Sequence, residues 1–354
     1  MTKVGVIGAG SWGTALAILL NENKNDVILW SHRESEAEKI RRTRVTSKLA
    51  GIRLPEAIRV TSDLSEAASD REVLIMVVPS ACVRETAQKL SAYVKEGTVI
   101  VSASKGIEES TLMTMTDVVS DCIRQLRPAV LFTMTDILEQ VLPQVDVAVL
   151  SGPSHAEEVA KGLPTACVVG AQDEETARML QKLFMSACFR VYISPDMQGI
   201  ELGGALKNVI ALAAGIADGM GYGDNAKAAL ITRGMVEIGR LGMAMGGKFE
   251  TFSGLTGIGD LIVTCASMHS RNRRAGILLG QGYSMEEAMK EVNMVVEGVY
   301  SARSALKLAE KYHVELPIIE QVNKVLFEGK DSRQAVAELM LRDNKQENSL
   351  IPWK

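Results

Sequence analysis

The sequence is short of the residues that mark specialised classes of protein. Among 354 residues it has five cysteines, four histidines and 4% aromatic residues. The cysteines, which form no C-x-x-C pair, are Cys82, Cys122, Cys167, Cys188 and Cys265. We therefore expect unpaired, buried thiols in a reducing compartment, and the widely spaced histidines predict no metal site. The net charge of −4 argues against nucleic acid as a general partner.

No hydrophobic run is long enough to cross a membrane. The closest, Ala205 to Ala217, contains Lys207 and Asn208 and falls short of the roughly 20 apolar residues that a membrane-spanning helix needs. The first residues carry no charged and then apolar leader, because the first candidate strand begins at once. We therefore expect a cytoplasmic protein without a membrane span.

The composition is that of an ordinary globular protein, with 47% hydrophobic and 23% charged residues, and the length fits two domains. Residues 1–194 alternate short apolar runs with helical stretches, which predicts an α/β Rossmann-type domain with a doubly wound parallel sheet. Residues 195–343 have long amphipathic stretches and almost no strand pattern, which predicts an all-helical second domain. Residues 344–354 are predicted to form a polar, frayed tail.

The candidate strands all lie in the first domain. They are Lys3–Ile7, Asp26–Trp30, Val73–Val78, Thr98–Ser102, Ala148–Leu150, Ala166–Val169 and Arg190–Ile193. The candidate helices of the second domain are Gly199–Gly219, Ala226–Met245, Met285–Val292, Ser301–Tyr312, Pro317–Leu326 and Ser332–Leu341. Ligands of open α/β sheets bind at the carboxyl ends of the strands, so site residues are expected directly after them.

One segment of the first domain occurs twice with little change. Residues 112–119 read LMTMTDVV and residues 131–138 read LFTMTDIL. A local duplication between two strands predicts an insertion around residues 112–138. We expect it on the outside of the first domain, with one added helical segment and no catalytic role.

A glycine turn joins the first candidate strand to a helix. Gly8, Gly10 and Gly13 fit the G-x-G-x-x-G pattern between Val4–Ile7 and the helical stretch Thr14–Leu20. Such a turn lets a pyrophosphate approach the backbone at the N-terminus of a helix. The alternative is a turn with a purely structural role. A dinucleotide would narrow the chemistry to hydride transfer.

The residues after the second strand bear on the choice of cofactor. An acidic residue there favours the ribose 2′-hydroxyl of NAD, whereas a cation favours the 2′-phosphate of NADP. His32 and Arg33 stand at this position, so we predict binding of NADP(H), with NAD(H) possible. Glu34 is the competing residue, and its alternative role is that of an acid in the first turn of the next helix.

Lys207 is the first candidate for the chemistry because it interrupts a nearly continuous apolar helix. Burial of an ammonium lowers its pKa, and an amine tuned in this way can give a proton to a carbonyl that is being reduced. The alternative is a lysine whose stem is buried while its head reaches water.

Two further candidates follow strands. Lys105 comes after the strand that ends at Ser102, where it could contact a substrate or a cofactor phosphate, or could be an ordinary loop lysine. Ser154 comes after the strand that ends at Leu150, and Glu157 follows three residues later. This spacing predicts that Ser154 caps a helix over residues 155–160 in a capping box, with or without a ligand.

The second domain supplies an anion site and an acid. Ser270 is a suitable N-cap, and three arginines follow it at positions where a helix dipole disfavours cations. A bound phosphate would resolve that conflict, although a solvated basic face is equally consistent. Upstream, a glycine-rich loop ends at Asp260, which could orient Lys207, bind a substrate hydroxyl or cap the helix that follows.

Together these motifs resemble the bacterial-type NAD(P)-dependent glycerol-3-phosphate dehydrogenases. The matching segments are residues 8–15 (GAGSWGTA), 78–80 (VPS), 104–106 (SKG), 151–154 (SGPS), 204–209 (GALKNV), 257–261 (GIGDL), 270–274 (SRNRR) and 296–298 (VEG). The resemblance implies reversible reduction of dihydroxyacetone phosphate to sn-glycerol 3-phosphate, the backbone precursor of glycerophospholipids. It also implies a homodimer. The repeated segment is longer than the link that the family usually has there.

The resemblance also implies roles for individual residues. It makes Lys207 the proton donor and acceptor. It implies substrate contacts for Lys105, Gly152, Ser154, Lys207, Asp260, Ser270, Arg271 and Asn272. With the glycine turn, it implies cofactor contacts for Gly8, Gly10, Ser11, Trp12, Gly13, His32, Arg33, Lys105, Ala156, Arg271, Val295 and Glu297.

Two alternatives stay open. One is a reductase of the same two-domain plan that acts on a 3-hydroxy acid or a ketopantoate-like substrate, for which the SRNRR segment would have no use. The other is a dinucleotide sensor without catalytic activity, which would not need a buried lysine. Loss of absorbance at about 340 nm on mixing NADPH with dihydroxyacetone phosphate distinguishes the three.

Overall fold

The computed structural model describes residues 1–125, 145–343 and 346–347. Its strands form one sheet in the order β3-β2-β1-β4-β5-β6-β7-β8. In chain order the strands are β1 (Lys3–Ile7), β2 (Asp26–Trp30), β3 (Arg59–Thr61), β4 (Val73–Met76), β5 (Val99–Ser102), β6 (Asp146–Ser151), β7 (Thr165–Ala171) and β8 (Phe189–Ser194). The order reverses at β1, so the crevice between β1 and β4 is the switch point where such sheets bind ligands.

Helices cover both faces of this sheet. In the first part of the chain they are α1 (Ser11–Glu22), α2 (Glu34–Thr43), α3 (Leu64–Ala68), α4 (Val83–Leu90), α5 (Met115–Gln125), α6 (Ala156–Val159) and α7 (Glu174–Phe184). Side chains of β1 alternate between two cores: Val6 packs in the cluster that contains Leu16 of α1, whereas Ile7 packs in the cluster that contains Val83 of α4. The predicted doubly wound α/β fold is therefore confirmed.

The sheet is not wholly parallel, contrary to the sequence-based expectation. Strands β6 and β7 pair antiparallel, and the other neighbouring strands pair in parallel. A parallel return needs a crossover, usually built on a full helix. The connection after β6 contains only the single turn α6 and a reversal at Gly162, where φ is +68°, so the chain comes back beside β6 in the opposite direction.

The second half of the chain is helical throughout its described part, as predicted. Its helices are α8 (Met197–Gly219), α9 (Asp224–Ala244), α10 (Phe249–Phe252), α11 (Asp260–Ala266), α12 (Arg271–Gly280), α13 (Met285–Val292), α14 (Glu297–Tyr312), α15 (Pro317–Phe327) and α16 (Ser332–Met340). A single π-helical turn, Leu255–Gly259, precedes α11.

Helix α8 is the centre of this half. It begins where the Asp196 carboxylate accepts a hydrogen bond from the Gly199 N–H at 2.9 Å, an N-cap of the usual kind. Within the described residues α8 is the helix long and apolar enough to cross a membrane, but its apolar window is 100% buried inside the protein. Its hydrophobicity is therefore that of a core helix.

Glycines let α12 lie directly against α8. A Cβ atom on Gly215 would come 2.1 Å from the carbonyl oxygen of Arg273, and one on Gly276 would come 2.2 Å from that of Leu212. No side chain fits at such distances. This close contact fixes the start of α12, with Ser270 and Arg271, relative to the helix that carries Lys207.

The first copy of the repeated segment is buried, whereas the sequence predicted a surface insertion. In the first copy Met115, Val118 and Val119 are buried in the core cluster that also contains Val83 of α4. Thr116 donates to the carboxylate of Glu201 on α8, through N at 2.9 Å and through Oγ1 at 2.6 Å. This copy is packed into the protein because α5 is amphipathic, and it is not a surface insertion. The second copy lies outside the described residues, as does most of the predicted tail.

The cysteines also differ in part from expectation. Cys122, Cys167 and Cys265 are buried, whereas Cys82 is exposed and Cys188 is half-buried. All five thiols are free. Burial raises the pKa of Cys167 to about 12, so this thiol acts as a small apolar side chain.

Candidate active site

A buried ion pair joins the candidate lysine to the candidate acid. Lys207 is only 6% exposed. Its Nζ donates to Oδ1 of Asp260 and, at 2.7 Å, to Oγ1 of Thr264. Asp260 is the first residue of α11 and Thr264 lies one turn later on the same face. The lysine head is thus held inside the protein and does not reach bulk water.

Lys105 completes this cluster. Its Nζ lies 2.7 Å from Oδ2 of Asp260, so the two carboxylate oxygens bind one lysine each. Burial, partly opposed by Asp260, lowers the pKa of Lys207 to about 8. Burial raises the pKa of Asp260, but the Lys105 and Lys207 ammoniums outweigh it and keep that pKa below its ordinary value. The cluster therefore holds one carboxylate between two amines.

The strand ends bring Lys105 to this place. Lys105 follows β5, and its Nζ donates to the carbonyl of Gly152, just after β6, at 3.1 Å. Gly152 has φ of +143°, a conformation suited to glycine. A Cβ on Gly204 would lie 2.9 Å from Ser151 Oγ and 3.8 Å from Cγ of Lys105. Helix α8 therefore meets the carboxyl edge of the sheet where β5 and β6 end.

The predicted capping role of Ser154 is wrong. Its Oγ donates to the carbonyl of Gly152 at 3.0 Å, and His155, without a side-chain cap, is the N-cap residue of α6. The chain is extended at His155, which moves the helix start one residue beyond the spacing that a capping box requires. Ser154 instead stabilises the Gly152 turn beside Lys105.

The start of α12 is built largely as predicted. Ser270 is 5% exposed and its Oγ accepts from the Arg273 N–H at 3.2 Å, which confirms the N-cap. Arg271 donates to the carbonyl of Val295 at 2.9 Å, and burial lowers its pKa. Arg273 is bound to Asp218 at 2.7 Å. Of these two arginines, Arg271 is therefore the one whose charge lacks an ion-pair partner within the described residues.

Asn272 ties three helices together. Its Nδ2 donates to Oδ1 of Asn208 on α8, and its Oδ1 accepts from the Gly298 N–H on α14, both at 2.9 Å. Asn208 is adjacent to Lys207. The amide thus couples the Ser270–Asn272 segment to the lysine helix and to the segment that carries Val295 and Glu297.

The glycine turn fits a dinucleotide. Gly8 has φ of +131°, and a Cβ there would lie 2.7 Å from the Val77 carbonyl. A Cβ on Gly13 would lie 1.9 Å from the Gly8 carbonyl. A Cβ on Gly10 would have no neighbouring atom of the described residues within 4 Å. The first turn of α1 has neither a side-chain cap nor an acidic residue, so its N–H groups face an open cradle suited to a pyrophosphate.

Two cofactor candidates stand at the end of β2. His32 and Arg33 are exposed, and Arg33 Nε donates to His32 Nε2 at 3.1 Å. Glu34 is the first residue of α2, which is the alternative role predicted for it from the sequence. Its carboxylate accepts hydrogen bonds from Arg41 and Ser62. The competing acid is therefore engaged elsewhere, and Arg33 forms no ion pair with any residue that the structure describes.

The remaining cofactor candidates lie at or next to the starts of helices. Glu297, at the start of α14, accepts from the backbone N–H and Oγ of Ser80 at 3.2 and 2.5 Å. Burial raises the pKa of Glu297. Ser11 and Trp12 open α1, Ala156 opens α6, and Val295 is exposed before α14.

Sequence reasoning missed two partners in this region. Thr264 belongs to no motif, and Ser80 ends the VPS segment but has no predicted role. Thr264 could have been found from its i, i+4 spacing to Asp260 on a helix. No local signal links Ser80 to Glu297, because 217 positions separate them.

The chain combines a glycine turn suited to a dinucleotide, at the switch point of a doubly wound sheet, with a buried amine on α8 where that helix meets the ends of β5 and β6. That arrangement defines a class, the two-domain nicotinamide-dependent dehydrogenases.

Comparison with known proteins defines the family more closely. The family model for the NAD-dependent glycerol-3-phosphate dehydrogenase C-terminus matches residues 196–337, and the model for the N-terminus matches residues 3–132 and 126–177. The chain belongs to this family. It is 57% identical to the glycerol-3-phosphate dehydrogenase [NAD(P)+] of Fusobacterium nucleatum over 98% of this chain and 99% of the relative. It is 56% identical to that of Agathobacter rectalis over the whole of both chains.

Solved structures agree with this assignment. Glycerol-3-phosphate dehydrogenase from Coxiella burnetii is 36% identical, with a TM-score of 0.88 over 96% of this chain and 99% of that one. A ketopantoate reductase from Ralstonia eutropha is similar with a TM-score of 0.58 at 16% identity, over 96% of this chain and 99% of that one. At that identity the second likeness concerns the fold alone.

Proposed function

We propose that this chain reduces dihydroxyacetone phosphate to sn-glycerol 3-phosphate, reversibly and with NAD(P)H. The observation that carries the proposal is the Lys105–Asp260–Lys207 cluster beside the start of α12. It combines a proton source of lowered pKa with a nearby anion site. The names of relatives that are 56–57% identical point to the same substrate pair. A supply of sn-glycerol 3-phosphate to glycerophospholipid synthesis is part of the proposal.

The chemistry of the chain's own residues follows from that cluster. When bound, the nicotinamide supplies the hydride. Lys207 Nζ holds the proton that the carbonyl oxygen needs as it becomes a hydroxyl, and takes the proton back in the reverse direction. Asp260 keeps this ammonium in place, and Lys105 adds positive potential where negative charge develops on the oxygen. Burial of the cluster excludes water, which strengthens these interactions.

The substrate phosphate belongs at the start of α12. There the Ser270 cap leaves N–H groups of the first turn for an anion, and Arg271 brings a guanidinium that forms no ion pair among the described residues. Gly152 and Ser154 lie on the sheet side of the same space, and Asn272 lies on α12 next to Arg271. The dinucleotide belongs on the Gly8–Gly13 turn, with Ser11, Trp12, Ala156, Val295 and Glu297 along its length.

The direct test of the proposal is spectrophotometric. Purified protein mixed with NADPH and dihydroxyacetone phosphate should lose absorbance at about 340 nm, because the reduced nicotinamide is consumed. Ketopantoate in place of dihydroxyacetone phosphate should give no loss, since it has no phosphate for the α12 site. Turnover of ketopantoate alone would favour the other reductase, and turnover of neither would favour a dinucleotide sensor.

The proposal includes a preference for NADPH over NADH. Its support is the pair His32 and Arg33 at the end of β2, together with the engagement of Glu34 by Arg41 and Ser62. Comparison of KM for the two cofactors tests it. A lower KM for NADPH is expected, and a lower KM for NADH would contradict the preference.

The assembly and its organisation are also proposed. We divide the chain into a cofactor domain of residues 1–194, a substrate domain of residues 195–343 and a tail of residues 344–354. A homodimer is inferred from the family resemblance, and a cytoplasmic location from the composition. Sedimentation equilibrium should give about twice the chain mass of 38.2 kDa, and a single chain mass would contradict the dimer.

A further inference from the structure

A loop after α2 passes close to the glycine turn. The carbonyl of Lys48 in this loop accepts a hydrogen bond from Oγ of Ser11, the first residue of α1, at 2.6 Å. The bond uses only the main chain of Lys48. The backbone of residue 48 is thereby fixed beside the cradle for the pyrophosphate, whatever its side chain does.

The side chain of Lys48 reaches toward the end of β2. Its Nζ lies 3.0 Å from Oε1 of Glu36. The other oxygen of Glu36 accepts from Oγ of Ser31, the residue directly after β2, at 3.0 Å. Lys48 therefore connects the phosphate turn with the position where Rossmann-type proteins read the adenosine ribose.

The ion pair lies near the surface. The Lys48 side chain is 41% exposed and that of Glu36 is 19% exposed. Ion pairs near the surface contribute little to stability, so exchange of the partner of Lys48 costs little. Glu36 on α2 is the acid that faces Lys48, and it also binds Ser31. Lys48 and the nearby His32 lower the pKa of Glu36, whereas burial raises it, and the net pKa is below its ordinary value. A doubly charged phosphate that bound at this position would compete with the Glu36 carboxylate for the Lys48 ammonium.

We propose that Lys48 is a specificity-determining residue that binds the 2′-phosphate of NADP(H) together with Arg33. Glu36 is its counter-ion when that phosphate is absent. The inference rests on the proposed use of a nicotinamide dinucleotide, and adds a residue to its cofactor preference.

The test is equilibrium binding, measured by isothermal titration calorimetry with NADPH, NADH and adenosine 2′,5′-bisphosphate. The variants are Lys48→Met, which keeps the carbonyl that accepts from Ser11, and Glu36→Gln. Matched controls are Lys39→Met and Glu38→Gln, which make the same changes of charge at exposed positions of α2. Because no turnover is needed, the result does not depend on the identity of the second substrate.

Lys48→Met should weaken binding of NADPH and of the bisphosphate by about tenfold or more, the loss expected for one charged hydrogen bond, and leave NADH nearly unchanged. Glu36→Gln should strengthen binding of NADPH several-fold. Equal losses for NADPH and NADH, no loss in Lys48→Met, or weaker NADPH binding in Glu36→Gln would overturn the inference. A wild-type protein that binds NADH more tightly would contradict only the proposed preference.

Discussion

Lys207 of α8 and Asp260 of α11 form a buried ion pair although 53 positions separate them in the sequence. Removing two charges from water is costly, and attraction between them repays that cost only in good geometry with further hydrogen bonds. Thr264 and Lys105 supply such bonds, to Lys207 and to Asp260 respectively. An arrangement of this cost is typical of a site that uses the charges for chemistry.

Asp260→Asn should lower kcat for the reduction of dihydroxyacetone phosphate by at least about tenfold near pH 7. The carboxylate raises the pKa of Lys207, so its loss makes the ammonium rarer, and a proton donor typically contributes about 10²–10⁴-fold. The pH of half-maximal reduction should also move down. Asp224→Asn, at an exposed position of α9, is the control; an unchanged pH profile in Asp260→Asn would refute the electrostatic role.

Arg271→Ala should chiefly raise KM for dihydroxyacetone phosphate. Loss of one charged hydrogen bond to the phosphate corresponds to about 1.5–3 kcal/mol of affinity. Arg333→Ala removes the same charge from an exposed position on α16 and serves as the control. If Arg271→Ala binds the substrate normally, the phosphate site lies elsewhere.

The two directions of reaction should respond oppositely to pH. Reduction needs Lys207 as the ammonium, whereas oxidation needs the neutral amine. Since the pKa of Lys207 is lowered to about 8, kcat/KM for reduction should fall as the pH rises through about 8, and kcat/KM for oxidation should rise over the same interval. Profiles of kcat/KM report groups of the free enzyme. Parallel profiles in both directions would exclude a single shared acid and base.

Much of the fold could be predicted because its signals are local. Alternating apolar runs give β1 and β2 with the observed bounds. The three-residue strand β3 was missed because a run so short has no period to detect. The antiparallel pairing of β6 and β7 is a matter of topology, which no local pattern in either strand encodes.

The residues of the site likewise divide into those with a local sequence signal and those without one. Lys207 could be singled out because an apolar helix makes a charge conspicuous, and Ser270 because a cap has a fixed spacing. The pairing of Lys105 with Asp260 spans 155 positions and emerges only when α8 meets the ends of β5 and β6. Ser154 was misassigned because its spacing to Glu157 fits a capping box, while the extended backbone at His155 decides where α6 begins.

The most direct test of the account is kcat of Lys207→Ala with dihydroxyacetone phosphate and NADPH, measured together with the dissociation constant of NADPH. Because the buried amine is the proposed proton donor, kcat should fall by roughly 10²–10⁴-fold while NADPH still binds as it does to the wild type. A variant that is folded, binds NADPH and keeps kcat within a few-fold of the wild type would contradict the central claim.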